Sequence, residues 1–279
     1  MAKMLDGKKR ANEIKQELKE KVAKENIHPR LVVVLVGNDP ASRVYVNGKK
    51  KDCEEIGIEP VDVAFPEDIP EDVLLAFIKS LSENSKNNGI LVQLPLPRHI
   101  NVDAVINSIA TSKDVDCFHK ENIGKIMTGD YDFLPCTPAG IIDLLDANGV
   151  EIEGKKAVVV GRSNIVGKPL SLLLSQKNAT VTLCHSKTSN LKEECRAADI
   201  LVCAIGKSEF ITADFVKEGA VVIDVGMNRS ADGKLVGDVK FDEVAPKCAY
   251  ITPVPGGVGP MTIVSLLKNT LLAAKKEIY

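Results

Sequence analysis

Short apolar runs alternate with longer amphipathic stretches through the first half of the chain. The runs are four to seven residues long and predict buried strands, whereas the stretches of ten or more residues have helical periodicity. The predicted strands are 31–37, 61–65 and 89–94, and the predicted helices are roughly 7–26, 40–56 and 70–84. Strands that alternate with helices in this way are typical of a parallel α/β sheet.

A second series of strands and helices begins after residues 128–138, TGDYDFLPCTP, which are rich in turn formers and mark a domain boundary. Thr137 and Pro138 predict the N-cap and first turn of a helix that ends at a glycine. Four apolar runs follow with helical spacers: KAVVVG, ATVTLC, DILVCAIG and AVVIDVG. They predict a second α/β unit, of Rossmann type. A last helix is predicted from Met261 to Ile278.

Composition excludes several classes of protein. The chain has 279 residues, 44% of them hydrophobic and 27% charged, which is ordinary for one large or two modest soluble domains. A net charge of -2 gives no reason to expect nucleic acid or a membrane surface as a partner. No apolar stretch reaches the roughly 18 residues that a membrane span needs. The charged N-terminal sequence lacks the apolar core of a secretory signal, so we expect a cytoplasmic protein.

The cysteines and histidines give no sign of a metal site or a disulfide framework. The seven cysteines are odd in number, no two form a C-x-x-C pair, and several lie inside apolar runs. We therefore expect reduced cytosolic thiols that fill the core. The four histidines are scattered, whereas a zinc site needs clustered ligands, so we expect no bound metal.

The turn after the run KAVVV is a candidate cofactor site. Its sequence, GRSNIVGKP, places Gly161 at a strand end and Gly167 near the start of a helix, which suits backbone N–H groups that face a pyrophosphate. Ser163 and Val166 occupy two places that are glycine in the common dinucleotide fingerprint. By its pattern alone, the segment is also compatible with an ordinary strand-to-helix turn.

The end of the next strand favours NADP over NAD. NAD enzymes usually place Asp or Glu about 20 residues after the turn, where it binds the ribose 2′-hydroxyl. Here that strand ends in Cys184-His185-Ser186-Lys187, without an acid, and Arg162 lies in the turn itself. A guanidinium and a hydroxyl suit a 2′-phosphate.

Polar residues in the first half of the chain form a second candidate site. Tyr45 and Lys49 share one face of a predicted helix, and Gln93 ends an apolar strand. By itself, a Y-x-x-x-K pair is more often a solvated lysine beside a core tyrosine. A buried glutamine, however, needs hydrogen-bond partners, and strand ends in α/β sheets line ligand sites. Asp114 and Asp116 follow in KDVDCF, where we interpret Asp114 as structural.

These segments, with PVPGGVGPMT near the C-terminus, resemble one family over nearly the whole chain. It is the family of bifunctional methylenetetrahydrofolate dehydrogenases/methenyltetrahydrofolate cyclohydrolases. The resemblance implies a folate-binding catalytic α/β domain at 1–127 with 260–279, an NADP-binding domain of Rossmann type at 137–259, and a cleft between them. It also implies tetrahydrofolate derivatives as substrates and a homodimer.

The resemblance also implies roles for individual residues. The catalytic group would be Lys49, Tyr45 and Gln93, and the folate contacts would be Asp116, Pro255 and Gly259. The contacts to NADP would be Gly161, Arg162, Ser163, Ser186, Met227 and Thr262. Cys117 departs from the family's D-V-D-G string, in which a glycine follows the second aspartate.

The chemistry gives the predicted catalytic group a reason. Methenyltetrahydrofolate is a cation, and its hydrolysis needs a water and movement of protons. A cationic substrate and desolvation both favour a neutral lysine, which can then act as a base. Gln93 would hold the amine without adding charge, and Tyr45 would pack on the ring system. The Asp116 carboxylate matches the paired N–H donors of a pterin edge.

Three alternatives stay open at this point. The first is a monofunctional dehydrogenase of the same family, which would not need Lys49 and Gln93. The second is a nucleotide-binding regulatory module without turnover. The third is an enzyme of the shikimate-dehydrogenase type, which has a similar two-domain plan but would not need the D-V-D and P-G-G-V-G-P strings.

Overall fold

The computed structural model describes residues 2–230 and 232–276, and of residues 40, 41, 44 and 45 it describes the backbone alone. The strands are β1 (Lys3–Met4), β2 (Arg30–Val36), β3 (Glu59–Phe65), β4 (Gly89–Val92), β5 (Lys156–Val160), β6 (Thr180–Cys184), β7 (Ile200–Cys203), β8 (Val221–Asp224), β9 (Asn228–Arg229), β10 (Leu235–Val236) and β11 (Tyr250–Ile251). The helices are α1 (Gly7–Glu25), α2 (Pro40–Ile56), α3 (Glu71–Glu83), α4 (Val102–Ile106), α5 (Lys120–Thr128), α6 (Cys136–Ala147), α7 (Gly167–Gln176), α8 (Leu191–Arg196), α9 (Phe241–Val244) and α10 (Val258–Lys276). Two 3₁₀ turns lie at Ala213–Phe215 and Ala245–Lys247.

The chain divides into two compact units, and each is made from two separate pieces of sequence. The six-stranded unit spans Met1–Asn12 and Pro135–Thr262, and the three-stranded unit spans Glu13–Leu134 and Ile263–Tyr279. The divisions fall inside α1 and α10, so each of these helices contributes residues to both units. The predicted two-domain α/β plan is therefore confirmed.

The three-stranded unit is built around β2. Its sheet has the order β3-β2-β4, and both pairings are parallel. Six of the seven residues of β2 are buried, as the unbroken apolar run predicts for a central strand covered on both faces. Val32, Val34 and Val36 of β2 pack in one apolar cluster with two residues of α3, Leu74 and Ile78. Burial of this cluster stabilises the sheet in which Gln93 directly follows β4.

The six-stranded unit contains one parallel sheet in the order β1-β11-β8-β7-β5-β6. The four predicted strands of the second series are β5 to β8, and β6 forms one edge of the sheet. At the other side, β11 and the edge strand β1 have only two residues each, too few to form a recognisable apolar run. A short antiparallel hairpin, β9 with β10, lies outside this sheet. The core of the unit includes Cys184, Cys195, Cys203 and Cys248.

All seven cysteines of the chain are buried, as expected for core-filling thiols. Burial raises the pKa of Cys53 to about 12, with smaller contributions from nearby carboxylates. It also raises the pKa of Cys195 to about 12 and that of Cys248 to about 11. Because the thiolate is the reactive form, these side chains are inert packing groups in the folded protein.

Two predicted helix starts are wrong. Helix α6 begins at Cys136 with Pro135 at its N-cap position, so Thr137 lies inside the helix instead of capping it. Its hydroxyl lies 2.9 Å from the Thr262 hydroxyl. Helix α10 begins at Val258, three residues before the predicted start at Met261. Pro260 then falls in the first turn, where the missing N–H of a proline costs no helical hydrogen bond.

Truncation of the core of the three-stranded unit gives a direct test of its packing. Ile78 is fully buried, whereas Val73 of the same helix is 50% exposed. We expect Ile78→Ala to lower the free energy of unfolding by about 2–5 kcal/mol, because it leaves a cavity among well-packed neighbours. Val73→Ala should change it by less than about 0.5 kcal/mol. Urea denaturation followed by circular dichroism measures both, and equal effects would contradict this account of the core.

Candidate functional site

Two glycines shape the turn between β5 and α7. Gly161 has a φ of +126°, and a Cβ placed on it would lie 2.1 Å from the carbonyl oxygen of Ala204. A Cβ on Gly167 would lie 1.9 Å from the carbonyl oxygen of Gly161. Neither position has room for a side chain, because backbone meets backbone on both sides of the turn. The turn is therefore a backbone cradle of the kind that accepts a pyrophosphate at a helix N-terminus.

Ser163 organises the inside of this turn. Its Oγ accepts hydrogen bonds from the backbone N–H groups of Val166 and Gly167, at 3.2 Å and 3.4 Å. Its carbonyl oxygen accepts a third, from Lys168, at 3.1 Å. Arg162 and Ser163 are both exposed. The serine thus fixes the start of α7 while the guanidinium beside it extends into solvent.

The neighbouring strand brings Ser186 to the same edge of the sheet. Strands β5 and β6 are in parallel register, with Val160 opposite Cys184. The N–H of Gly161 donates to the carbonyl oxygen of Cys184 at 2.9 Å, so the segment after β6 lies directly beside the turn. Ser186 and Lys187 are exposed there. The described residues 184–188 include no carboxylate, and a cationic and hydroxyl-bearing edge of this kind fits a phosphate on the adenosine ribose.

Four more predicted site residues lie in the six-stranded unit. Met227 follows β8 and is 46% exposed, and a Cβ on Gly259 would lie 3.8 Å from its sulfur. Thr262 lies one turn after Gly259 on α10, and its hydroxyl is hydrogen-bonded to that of Thr137. Pro255 is exposed in the loop before the helix. Pro255 and Gly259, predicted to contact folate, thus belong to the same unit as the predicted cofactor residues.

Lys49 and Gln93 meet in the three-stranded unit. The Lys49 ammonium donates to Gln93 Oε1 at 3.0 Å, although the two residues are 44 positions apart. The Gln93 side-chain N–H donates to the carbonyl oxygen of Leu94 at 2.8 Å, which turns its amide oxygen toward the lysine. The backbone N–H of Gln93 donates to Val34, so the residue is anchored to the central strand. Both side chains are half-buried.

Lys49 lies on helix α2, which is capped at both ends. Asp39 caps its N-terminus by accepting from Ser42 N, and Gly57 ends it with a φ of +89°. Lys49 and Tyr45 are four residues apart on this helix. The side chain of Tyr45 lies outside the described part of the structure, so its predicted role stays a prediction.

The segment that carries Asp116 runs beside β4. Ile90 and Asp114 form a parallel bridge, which aligns the segment with the strand that leads to Gln93. Asp114 is buried and accepts from the N–H groups of Phe118 and His119 and from Asn122 of α5. It holds the start of that helix, as the structural interpretation predicts. Asp116 is half-buried in the turn that follows.

Cys117 explains why a glycine is common at its position in the family. Its φ is +59°, in the left-handed region that favours glycine. The side chain is buried, and its Sγ donates to the carbonyl oxygen of Phe133 at 3.4 Å. The cysteine therefore keeps the backbone turn that a glycine would adopt and adds a contact to the next segment.

Two buried carboxylates were missed by sequence reasoning. Asp224 and Asp238 lie at the carboxyl edge of the six-stranded sheet and are 4% and 0% exposed. Asp224 accepts backbone N–H groups from Gly226, Asp238 and Val239 at 2.9–3.0 Å. Asp224 ends the apolar run AVVID, which was the available signal. Burial raises the pKa of Asp224 to about 6, against these donors, and the charge of Asp238 adds to the rise.

Neither a metal cluster nor a membrane span is found in the described residues. Over 2–230 and 232–276, no three His, Cys, Asp or Glu residues group so as to hold a metal ion. No helix in the same ranges is long and apolar enough to cross a bilayer.

Comparison with protein families decides the class of this enzyme. Residues 5–116 match the catalytic domain of tetrahydrofolate dehydrogenase/cyclohydrolase, and residues 135–278 match its NAD(P)-binding domain. The chain belongs to the tetrahydrofolate dehydrogenase/cyclohydrolase family. Both domains of the family are present, in the order that the sequence predicts.

Individual members of the family are similar over their full lengths. The bifunctional protein FolD of Ruminiclostridium cellulolyticum is 59% identical, over 98% of this chain and 97% of that protein. The crystal structure of the bifunctional enzyme FolD from Campylobacter jejuni has a TM-score of 0.96 and 49% identity and covers 99% of both chains. The Trypanosoma brucei enzyme, determined with NADP cofactor and inhibitor, has a TM-score of 0.95 and 38% identity over 99% of this chain and 98% of that one.

The predicted family, the class of bifunctional dehydrogenase and cyclohydrolase, and NADP as the cofactor are therefore confirmed. The match to both domains and to bifunctional relatives disfavours the three alternatives: the regulatory module, the enzyme of the shikimate-dehydrogenase type and the monofunctional dehydrogenase. The roles of the individual site residues are a separate matter and rest on the contacts described above.

Because Asp224 is buried, it should make the free energy of unfolding depend on pH, and a variant without this carboxyl group tests that. An aspartate in an unfolded chain titrates near about 3.9, so the folded unit holds this proton more tightly. The resulting stabilisation is complete below about pH 4 and is lost as the pH rises through about 6, a difference of roughly 3 kcal/mol. Asp224→Asn cannot ionise. Its free energy of unfolding, relative to the parent, should therefore rise between about pH 4 and pH 7.

Urea denaturation of both proteins across this range measures the effect. Asp232→Asn is the matched control, because Asp232 is exposed and its pKa is lowered by Ser230 and Lys234. It should not show the rise. A difference between Asp224→Asn and the parent that stays constant with pH would mean that Asp224 titrates like an exposed aspartate.

Proposed function

We propose that the chain oxidises 5,10-methylenetetrahydrofolate with NADP and then hydrolyses 5,10-methenyltetrahydrofolate to 10-formyltetrahydrofolate, with Lys49 as the acid–base group of the second step. In the first step, NADP accepts a hydride from the methylene carbon. The observation that carries the assignment is the 3.0 Å hydrogen bond between Lys49 and Gln93. A dehydrogenase alone would have no use for an amine held in this way.

The Lys49–Gln93 pair suits hydrolysis of a cation. Hydrolysis needs a water at the cationic carbon and a base that takes its proton. Gln93 fixes the amine through a neutral amide, so it adds no charge that would bind the ammonium form more tightly. The side-chain amide is itself held by the carbonyl oxygen of Leu94, and the backbone N–H of Gln93 is held by that of Val34, which limits where the amine can reach. Positioned groups of this kind are effective because they need no rearrangement in the transition state.

Hydride transfer asks less of the protein. The folate nitrogens supply the electrons that expel the hydride, so no strong acid or base is required. The contribution of the chain is alignment of the two substrates.

We propose that the three-stranded unit holds folate through Asp116, with Tyr45 against the ring system, and that Pro255 and Gly259 also contact folate. The domain bounds 1–127 with 260–279 and 137–259 stay a prediction.

The six-stranded unit supplies the proposed cofactor contacts. The pyrophosphate would bind at the turn formed by Gly161, Arg162 and Ser163, where the close backbone packing at Gly161 and Gly167 leaves no room for a Cβ at either glycine. Arg162 and Ser186 would bind the 2′-phosphate, since both are exposed at neighbouring strand ends. Met227 and Thr262 would contact the remainder of the cofactor. A cytoplasmic homodimer, as in the resembled family, is part of the same proposal.

Replacement of Lys49 separates the two reactions. Lys49→Met keeps much of the stem volume and removes the amine. We expect cyclohydrolase activity to fall by about 10²–10⁴-fold, the usual contribution of a positioned acid–base group. Dehydrogenase activity should fall less, through imperfect alignment alone. One assay that follows NADPH and methenyltetrahydrofolate together measures both, and methenyltetrahydrofolate should accumulate.

Lys51→Met is the matched control for this experiment, because Lys51 is exposed two residues further along the same helix. It should leave both activities near the parent values. If Lys49→Met hydrolyses methenyltetrahydrofolate at the parent rate, Lys49 is an ordinary surface lysine and another group is the base.

Cofactor choice is tested at Arg162. A charge-assisted hydrogen bond to the 2′-phosphate contributes roughly 1.5–3 kcal/mol. Arg162→Ala should therefore weaken NADP binding about tenfold or more and leave NAD binding nearly unchanged. Titration of both cofactors by calorimetry measures this.

Arg196→Ala provides a guanidinium control at the opposite edge of the sheet. Arg196 ends α8 just before β7 begins and donates to the carbonyl oxygen of Asp214. Its loss should not change the ratio of NADP to NAD affinity. A parent enzyme that prefers NAD would overturn the argument from the missing acid after β6.

A further inference from the structure

Asp238 is a fully buried carboxylate without an assigned task. Its Oδ2 accepts the backbone N–H groups of Ile205 and Gly206 at 2.7 Å and 3.1 Å. Its Oδ1 accepts the N–H of Lys207 at 2.8 Å and the side-chain N–H of Asn228 at 2.9 Å. Four donors thus converge on one side chain that is 0% exposed. All four are uncharged N–H groups, and together they satisfy both oxygens of the buried charge.

These four donors belong to two segments at the carboxyl edge of the six-stranded sheet: the loop after β7 and the start of β9. Residues 205–207 follow β7, and Asn228 comes directly after Met227 in the segment that follows β8. The first loop begins at Ala204, whose carbonyl oxygen occupies the space that a Cβ on Gly161 would need. One loop therefore packs against the proposed pyrophosphate turn, and the other carries a proposed cofactor contact. Asp238 joins them.

Asp238 is in turn fixed by Asp224. The backbone N–H groups of Asp238 and Val239 donate to the two oxygens of Asp224. Two glycines pack directly against the pair. A Cβ on Gly237 would lie 1.7 Å from Asp224 Oδ2, and a Cβ on Gly226 would lie 2.4 Å from Asp238 Oδ1. The position of the Asp238 carboxylate is therefore set by the end of β8 and cannot adjust independently.

We propose that Asp238 is a positioning residue for NADP: it sets the loop 205–207 and the Met227–Asn228 segment in the geometry that the cofactor needs. The inference rests on the proposed cofactor site and adds to it a residue that touches no ligand. A carboxylate is required because it offers acceptors on both oxygens. An asparagine has one amide oxygen, and its NH₂ group would face the donors of Lys207 and Asn228.

The first test is the affinity of Asp238→Asn for NADPH, followed by cofactor fluorescence in the full-length protein. Because displacement of the two segments would weaken the contacts that they make to the cofactor, we expect the affinity for NADPH to fall about 10-fold or more. Asp232→Asn is the matched control and should bind like the parent, because Asp232 is exposed in the turn between β9 and β10. Hydrolysis of methenyltetrahydrofolate without cofactor should stay near the parent rate in both.

A second variant covers the case in which Asp238→Asn does not fold, as judged by circular dichroism and by loss of that hydrolysis. Asn228→Ala removes one of the four donors and leaves the carboxylate in place. It should weaken NADPH binding severalfold, with a melting temperature near that of the parent. Hydrogen exchange adds a readout specific to positioning. The amides of Ile205, Gly206 and Lys207 should exchange slowly in the parent and faster in Asp238→Asn.

Each outcome bears on the proposal. Parent-like NADPH affinity in Asp238→Asn overturns it, as does parent-like affinity in Asn228→Ala if the first variant does not fold. In both cases a persistent loss in Arg162→Ala would leave the proposed function standing. Failure of the parent itself to bind NADPH would overturn the cofactor site and this inference together.

Discussion

The cofactor edge of the six-stranded unit depends on one close approach between two pieces of backbone. The carbonyl oxygen of Ala204 occupies the space that a side chain on Gly161 would fill, and Gly167 is pressed against Gly161 in the same way. Because no side chain intervenes, the backbone at the end of β5 contacts both the start of α7 and the loop after β7, and none of the three segments can move without the others. The N–H groups of the turn can then face a phosphate without competition from side-chain atoms. A larger residue at either glycine would separate all three segments at once.

Buried charge extends this arrangement to the loops on its far side. Asp224 and Asp238 are negative groups in the interior with no cation among their described hydrogen bonds, and they are stabilised by backbone and amide donors instead. The raised pKa of Asp224 indicates that this stabilisation is incomplete. Burial of these carboxylates thus lowers the stability of the unit, whereas their hydrogen bonds hold the surrounding loops in place. In the three-stranded unit the comparable pair, Lys49 and Gln93, is half-buried, which suits the acid–base role proposed for Lys49.

The sequence predicts the parts of this structure that follow from periodicity. The runs that became β2, β5 and β8 are apolar throughout, and a strand covered on both faces has no other simple pattern. Gln93 stood out because an amide among aliphatic residues needs partners, and it found them in Lys49 and Leu94. The roles predicted for Asp116 and for the other folate-site residues rest on the family resemblance, because their local patterns alone do not give them.

Other features could not be predicted because their causes are not local. Strands β1 and β11 have two residues each and exist only as additions to an established sheet edge. Thr137 had the sequence context of an N-cap but lies within α6, where its partner is a residue 125 positions away. Asp238 sits in an unremarkable Gly-Asp-Val string. The role proposed for it rests on four donors from two segments that come together only in the folded sheet.

The two units of this enzyme cannot be separated by one cut in the chain. A fragment that begins at Pro135 would lack β1, which pairs with β11, and would lack the N-terminal turn whose Lys8 amide donates to Gly256. A fragment that ends at Leu134 would lack Asn269, whose side chain donates to the carbonyl oxygens of Val115 and Leu134. Each unit is thus completed by the opposite terminus of the chain. During synthesis, each unit therefore stays incomplete until the residues of α10 that belong to it have left the ribosome.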